Sequence, residues 1–293
     1  MPEAAGPPTP LAIIAGHGEL PQRIAERRAA AGLHTHLVIF PDCAEPWMDS
    51  HSHCHHEFER LGRVFRDLKS HNITHVTFAG AMNRPRIRPW RIDLKTLGIV
   101  FRALPLLRKG DDEMLRGYAA MVEAEGFRMI GAAEILGDDL KVPPGPLGQH
   151  SPGDQDRADA ARAAAIVRDL GPHDVGQGAV VANGLVLAIE AIEGTDLMLS
   201  RIAALPTERR ASAPPPCGVL FKGPKPDQDR RLDVPTIGPA TVTAAKAAGL
   251  SGLVAVAGET MLLSPSDTRA EADAAGLFVY GATPGELLTW SKP

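Results

Sequence analysis

The stretch from residue 11 to residue 32 limits the possible folds most. A short apolar run, Leu11–Ala15, stops at Gly16-His17-Gly18 and passes directly into a helical period through Leu20, Ile24 and Ala25 that ends at Gly32. A strand that feeds a helix through a glycine turn begins a parallel α/β sheet, because parallel neighbours need a crossover and a helix supplies it. Further apolar runs at residues 37–40 and 76–79 flank a helical stretch at 58–68, so strands alternate with helices. Two more helices are expected at 94–107 and 111–125, the second with Asp111 as an acidic N-cap and Gly126 as its stop.

With 293 residues, the chain is long enough for two domains, each with its own core. Pro143, Pro144, Gly145, Pro146, Gly148 and Pro152 form a density of breakers that neither a helix nor a central strand tolerates, which marks an interdomain linker. Beyond it an alanine-rich helix is expected at 156–170. Asn183-Gly184 between two apolar runs then reads as a hairpin, so the second sheet is mixed. Gly194-Thr195-Asp196 starts a helix, residues 218–221 form a strand, and a polar loop over 222–235 leads to a helix at 240–248. Ser264-Pro265 and Thr283-Pro284-Gly285-Glu286 start the last helices. The expected fold class is α/β in two domains. A disordered leader (1–10) precedes an N-terminal Rossmann-like doubly wound sheet (11–137), a linker (138–153) and a C-terminal mixed-sheet domain carrying an acidic loop (154–293).

A net charge of −4 gives no basic field to drive nucleic-acid binding. Three scattered cysteines do not make a disulfide framework and point to a reducing, cytoplasmic compartment. The first ten residues lack the charge and apolar pattern of a signal peptide, and the most apolar window, 92–107, is interrupted by Lys95, Arg102 and Pro105.

Several segments carry candidate chemistry. The Gly16-His17-Gly18 turn resembles a phosphate-cradling βα turn but lacks the third glycine of a dinucleotide fingerprint, which argues against a nicotinamide oxidoreductase. His51, His53 and His55 would share one side of an extended segment as zinc ligands. A closed site needs four ligands gathered by a turn, so residues 51–56 read instead as an exposed polar connector. Asn83 and Arg84 follow the third strand, at the edge where open α/β sheets bind ligands, and Arg86, Arg88 and Arg91 add charge suited to phosphate or anionic headgroups. Lys109-Gly110-Asp111-Asp112 could hold Mg²⁺ through oxygen, or simply complement a helix dipole. The richest segment is 222–238. Lys222, Lys225, Arg230, Arg231, Asp227, Asp229 and Asp233 are the components of a diphosphate site, and Thr236 and Gly238 offer anion donors before a helix.

Taken together, these segments resemble one family, the LpxI-type UDP-2,3-diacylglucosamine pyrophosphatases of lipid A biosynthesis. The resemblance runs from the Ala15-Gly16-His17-Gly18-Glu19-Leu20-Pro21 turn through Ala79-Gly80, Asn83-Arg84-Pro85 and Lys109-Gly110-Asp111-Asp112. It continues with Gly176-Gln177-Gly178, Glu190, Glu193-Gly194-Thr195-Asp196 and residues 222–238. The chain departs from the family pattern at His17, where glycine is usual, at Val234, where leucine is usual, and in the histidine run. The resemblance implies hydrolysis of UDP-2,3-diacylglucosamine to UMP and 2,3-diacylglucosamine 1-phosphate (lipid X), with Mg²⁺ or Mn²⁺, at the cytoplasmic face of the inner membrane. It points to attack at the sugar-side phosphorus and leaves a homodimer open. On this reading Asp233 holds the metal or orients water, with Asp229 and Asp196 assisting and Asp111 and Asp112 as further metal ligands. Lys222, Lys225 and Arg231 bind phosphate oxygens, and Gly16, Gly18, Asn83, Arg84, Lys109, Thr195, Gln228 and Thr236 complete the substrate contacts. The acyl chains require an apolar cleft, expected between the domains, with 92–107 as a lining or a surface-docking helix and core packing as its plainer role. A noncatalytic carrier of a nucleotide- or lipid-linked sugar would use the same residues without releasing UMP.

Overall fold

The structure, a computed structural model, describes residues 6–7, 9–82, 88–103, 111–137, 140–206, 216–226 and 228–291. Two units divide the chain: Met1–Asp139 with Asp229–Asp233, and Leu140–Gln228 with Val234–Pro293.

The first unit runs β1 (Leu11–Ala15), α1 (Glu19–Ala30), β2 (Thr35–Ile39), β3 (Ser52–His55), α2 (Leu61–Ser70), β4 (His75–Ala79), α3 (Leu94–Ala103), α4 (Asp111–Ala124), β5 (Arg128–Met129) and α5 (Ala132–Leu136). Its sheet is wholly parallel, in the order β3-β2-β1-β4-β5. β1 is buried along its whole length, as an apolar run without alternation should be when helices cover both faces. Ala12, Ile14, Val38 and Phe40 face α2 and α4 through Val64, Phe65, Leu68 and Val122. α1 and α5 pack together over the other face. The strand order reverses between β1 and β4, and there the backbones nearly touch. A Cβ on Gly16 would lie 2.5 Å from the Ala81 carbonyl, and one on Gly80, whose φ is +88°, would lie 2.5 Å from the His17 carbonyl. Only glycine fits either position.

The second unit runs β6 (Gly145–Pro146), α6 (Asp154–Leu170), β7 (Gly178–Ala182), β8 (Leu185–Ile189), α7 (Gly194–Ala203), β9 (Val219–Lys222), β10 (Thr236–Ile237), α8 (Pro239–Ala247), β11 (Gly252–Val256), β12 (Met261–Leu262), α9 (Pro265–Ala275), β13 (Phe278–Ala282) and α10 (Pro284–Trp290). Its main sheet is mixed, in the order β6-β13-β11-β9-β7-β8, with β9, β11 and β13 parallel at its centre. Alternation sorts the side chains into two layers. Val180, Leu220, Leu253 and Val279 meet α7, α8 and α9, while Val181, Phe221, Val254 and Val256 meet α6 and α10.

The α/β class, the parallel first sheet and the mixed second sheet agree with the sequence reading. Elsewhere the structure differs from it. Residues 140–153, expected as a linker, belong to the second unit, and Gly145–Pro146 is its edge strand, the one sheet position where proline leaves no ladder hydrogen bond unmade. The leader is pinned at its described end, because the buried Arg28 guanidinium donates to the carbonyls of Pro7 at 3.0 Å and Thr9 at 2.9 Å. The loop over 222–235 is not one excursion. Residues 229–233 join the first unit, with Leu232 in its core.

Asn183 (φ +49°) and Gly184 (φ +76°) form the expected two-residue turn between β7 and β8. The buried Asp159 of α6 accepts from both turn amides, Asn183 N–H at 2.8 Å and Gly184 N–H at 2.7 Å. Asp159→Ala orphans both donors and should cost roughly 3–6 kcal/mol, since hydrogen bonds to charged groups are each worth about 1.5–3. Urea unfolding checks this; a loss below about 0.5 kcal/mol would mean that water replaces the carboxylate.

Candidate active site

In open α/β sheets, ligands bind beyond the carboxyl ends of the parallel strands. In the second unit, Lys222 ends β9, the start of β7 pairs beside it, and Glu190 follows the end of β8. The Lys222 ammonium donates to the Thr195 hydroxyl, which donates to Glu190 Oε1 at 2.7 Å, and Lys222 Nζ lies 3.9 Å from the same oxygen. Glu190 is 8% exposed, and its Oε2 has no hydrogen-bond partner among the described residues. That oxygen faces Gly178, where a Cβ would come within 2.7 Å of it. A Cβ on Gly176 would come within 2.2 Å of the Glu190 carbonyl. The Glu190 amide also donates to the Gly178 carbonyl, at 2.9 Å. Gly176-Gln177-Gly178 is therefore glycine-rich because it packs flat against this acid. Glu190 carried part of the family resemblance but was assigned no role at the site; the signal in the residues themselves was an acid directly after an apolar strand.

Thr195 is buried in the first turn of α7, whereas Asp196, the next residue, is exposed. Lys225 pairs with Asp174, and its backbone N–H donates to Gln228 Oε1 at 3.0 Å. The Thr236 hydroxyl donates to the Val234 carbonyl at 2.9 Å.

The remaining acidic-loop residues belong to the first unit. Arg231 grips Asp229 with two hydrogen bonds, from Nε at 3.1 Å and Nη2 at 2.8 Å, and reaches Glu123 Oε1 with Nη1 at 3.0 Å. This guanidinium holds the Asp229 carboxyl below the usual carboxylate range. Asp233 is half-buried, with its backbone N–H 3.4 Å from the Asp229 carbonyl. At the glycine turn, Gly16 N–H donates to Ala79 O at 2.8 Å, and Gly18 N–H donates to Glu45 Oε1 at 3.2 Å. A carboxylate of the chain itself thus sits at the start of α1. Asn83, Arg84, Arg86 and Lys109 lie outside the described residues, as do the side chains of Asp111 and Asp112, which head α4.

The basic stretch after β4 is partly neutralised. Arg88 Nε lies 2.9 Å from Glu59 Oε1, and Arg91 Nη1 lies 2.7 Å from Glu57 Oε1. α3, for which core packing was the plainer expectation, buries Ile99 but exposes Leu94, Leu97 and Phe101, with Trp90 exposed just before it. No described helix is long and apolar enough to cross a membrane. Among the described residues, two groups of side chains bring donor atoms close enough for a metal ion: His36, Asp67 and His71, and Cys54, His56 and Asp67. Asp233, Asp229 and Asp196 are in neither.

Comparison with known proteins places this geometry in context. A family model described as the LpxI N-terminal domain matches residues 10–138, and one described as the LpxI C-terminal domain matches residues 143–280. A curated relative from Caulobacter vibrioides, named UDP-2,3-diacylglucosamine pyrophosphatase LpxI, is 40% identical over 276 residues, which cover 94% of this chain and 98% of the relative. With both halves matched in order and a relative alike over nearly its full length, the chain belongs to the LpxI family.

Proposed function

We propose that the protein hydrolyses the diphosphate of UDP-2,3-diacylglucosamine, giving UMP and 2,3-diacylglucosamine 1-phosphate. The observation that carries this reading is the near-full-length likeness to a relative bearing that activity in its name. The Lys222–Thr195–Glu190 cluster supports it, since it presents a cation and a helix N-terminus at the ligand-binding edge of a sheet.

Several residues then have roles that follow from their setting. Lys222 neutralises a phosphate oxygen, and Glu190 and Thr195 hold its ammonium in place. Asp229 acts through Arg231 by fixing the guanidinium fork, which suits phosphate geometry. Lys225, tied to Asp174, shapes the loop together with Gln228, and the family resemblance, not their setting, assigns the remaining substrate contacts to Thr236, Gly16, Gly18, Asn83, Arg84 and Lys109. Asp196 contributes negative charge in the first turn of α7. The reading includes Mg²⁺ or Mn²⁺. Magnesium takes one or two protein carboxylates and completes its shell with water and phosphate oxygens, so the half-buried Asp233 suits it as a hard oxygen donor, with Asp111 or Asp112 as a second. When bound, such an ion offsets charge that develops on the diphosphate.

A substrate with two acyl chains does not leave a bilayer readily, at about 0.8 kcal/mol per buried CH₂. The exposed Trp90, Leu94, Leu97 and Phe101 offer an apolar face for peripheral contact with the cytoplasmic surface of the inner membrane.

Incubation with UDP-2,3-diacylglucosamine and Mg²⁺ should release UMP, and binding without UMP would favour a noncatalytic carrier. Asp233→Asn keeps the shape of the side chain and should lower kcat by on the order of 100-fold or more; near-normal turnover would remove Asp233 from the mechanism. Lys222→Met leaves Glu190 buried without its cation and should destabilise by about 3–5 kcal/mol. Adding Glu190→Gln should restore much of the stability and none of the activity, whereas recovery of both would make Lys222 purely structural. For the membrane, Leu94→Asp with Phe101→Asp should reduce cosedimentation with anionic vesicles while hydrolysis of detergent-dispersed substrate persists. Unchanged cosedimentation would count against α3 as the docking face.

A further inference from the structure

The histidine-rich run takes no part in this function, and the structure organises it differently from its spacing. β3 is the sheet edge, parallel to β2, with Ser52 beside His36 and Cys54 beside Val38. Alternate strand residues share a face, so Ser52, Cys54 and His56 lie on the side of His36 and Val38, and His51, His53 and His55 lie on the other. The three histidines that share a face by spacing are therefore not the ones that converge with Cys54 and Asp67. α2 covers the first face, packing Val64, Phe65 and Leu68 with Val38 and Phe40. From this helix Asp67 reaches the edge, with Oδ2 3.2 Å from His36 Nε2 and 3.4 Å from His56 Nε2. Donor atoms of Cys54, His56 and Asp67 all lie within 4.8 Å of one another.

We propose that Cys54, His56 and Asp67, with His36 as the fourth donor, form a Zn²⁺ site that ties the edge strand β3 to α2. Sulfur, two imidazoles and a carboxylate are the ligand types of tetrahedral zinc, whose donors stand about 3.3–3.8 Å apart at Zn–N and Zn–S lengths of about 2.0 and 2.3 Å. Cys54, His56 and Asp67 already meet within 4.8 Å of one another, and His36 Nε2 stands 3.2 Å from the Asp67 carboxylate that the ion would share. His36 Nδ1 lies 2.8 Å from Ser52 Oγ, the kind of second contact that orients a ligating imidazole. Thiolate and carboxylate together bring two negative charges to match the ion, so the site closes neutral beside Arg63 and Arg66. These arginines line an open depression with His56 and Asp67, which gives the ion a path from solvent.

Two features suit an ion at this point. Asp67 is in the last turn of α2, where the helix dipole disfavours a carboxylate, yet it is the centre of the cluster. β3 is Ser-His-Cys-His and contributes only Cys54 to the apolar core, too little to hold an edge strand by packing. Hydrogen bonding between Asp67 and the histidines accounts for the imidazoles, while the Cys54 thiol donates to the Leu37 carbonyl at 3.7 Å and stands close enough to Asp67 to serve as a third donor.

Titration of the metal-stripped, full-length protein with Co²⁺ tests the site. The expected result is one equivalent bound, with intense tetrahedral ligand-field bands and a thiolate charge-transfer band, all displaced by Zn²⁺. Zn²⁺ should also raise the thermal midpoint. Cys54→Ser should abolish the charge-transfer band and weaken Zn²⁺ binding by at least about 10-fold, and it should leave UMP release unchanged when Mg²⁺ is supplied. Changing His51, His53 and His55 together to Gln should leave the spectrum intact. Absence of the band in the unmodified protein overturns the proposal. So does its persistence in Cys54→Ser, which would assign it to Cys43 or Cys217, or its loss in the triple variant.

Discussion

One buried carboxylate organises the ligand-binding edge of the second sheet. A charge removed from water costs several kcal/mol unless a counter-charge and hydrogen bonds meet it. Glu190 receives them incompletely: Thr195 bonds one oxygen, Lys222 stands 3.9 Å from that same oxygen, and the other has no partner among the described residues. The surrounding sequence is fitted to this arrangement. Gly176 and Gly178 lack the side chains that would collide with Glu190, and β9 ends on a lysine. α7 begins at Gly194, whose φ of +76° turns the chain so that Thr195 arrives beneath the carboxylate. Proteins tolerate such incomplete satisfaction where a ligand completes it, and a diphosphate binding Lys222 would alter the balance around Glu190 directly.

Much of the fold was legible because strands and helices in this chain carry clean punctuation. Leu11–Ala15 ends in glycine, Asn183-Gly184 is the turn a hairpin requires, and Thr283 and Glu286 cap each other as the spacing suggests. Two of the strands that were not foreseen, β3 and β6, have physical reasons. β3 is polar and histidine-rich, so it shows no apolar period, and the parallel β2 rather than its own composition makes it a strand. Residues 143–146 carry three prolines, and only the edge pairing of Gly145–Pro146 with β13 admits them to a sheet. The division of 222–235 was illegible for another reason. Leu232 is a single apolar residue amid charge, and its burial in the first unit's core depends on surfaces far away in sequence.

The cations of the acidic loop show the limit of composition as a guide to chemistry. Sequence counts Lys225 and Arg231 as charge available to phosphate. In the structure Lys225 is paired with Asp174, and Arg231 is shared by Asp229 and Glu123. Exposed pairs of this kind are worth little to stability and exchange partners at small cost, so Arg231, nearly half exposed, can still meet a phosphate. Lys222 differs, because its ammonium bonds a neutral hydroxyl and shares its nearest acid with that hydroxyl. It therefore keeps more of its field for a ligand than a lysine closed into a tight ion pair.

A similar test separates two ways of meeting a membrane. The arginines after β4 suggest attraction to anionic headgroups, at about 1 kcal/mol for each free charge near the surface. Among the described residues, Glu57 and Glu59 cancel much of that for Arg91 and Arg88, which form short-range ion pairs. The apolar face of α3 has no such compensation: Leu94 and Phe101 are two turns apart on one side of the helix, with Leu97 between them, and all three stay in solvent. Interfacial helices bind through buried apolar area together with charge, and here the area remains while the charge of Arg88 and Arg91 is spent. Salt should then weaken membrane association less than the count of arginines implies, since screening acts on exposed charges and not on the transfer of Leu94 and Phe101 out of water.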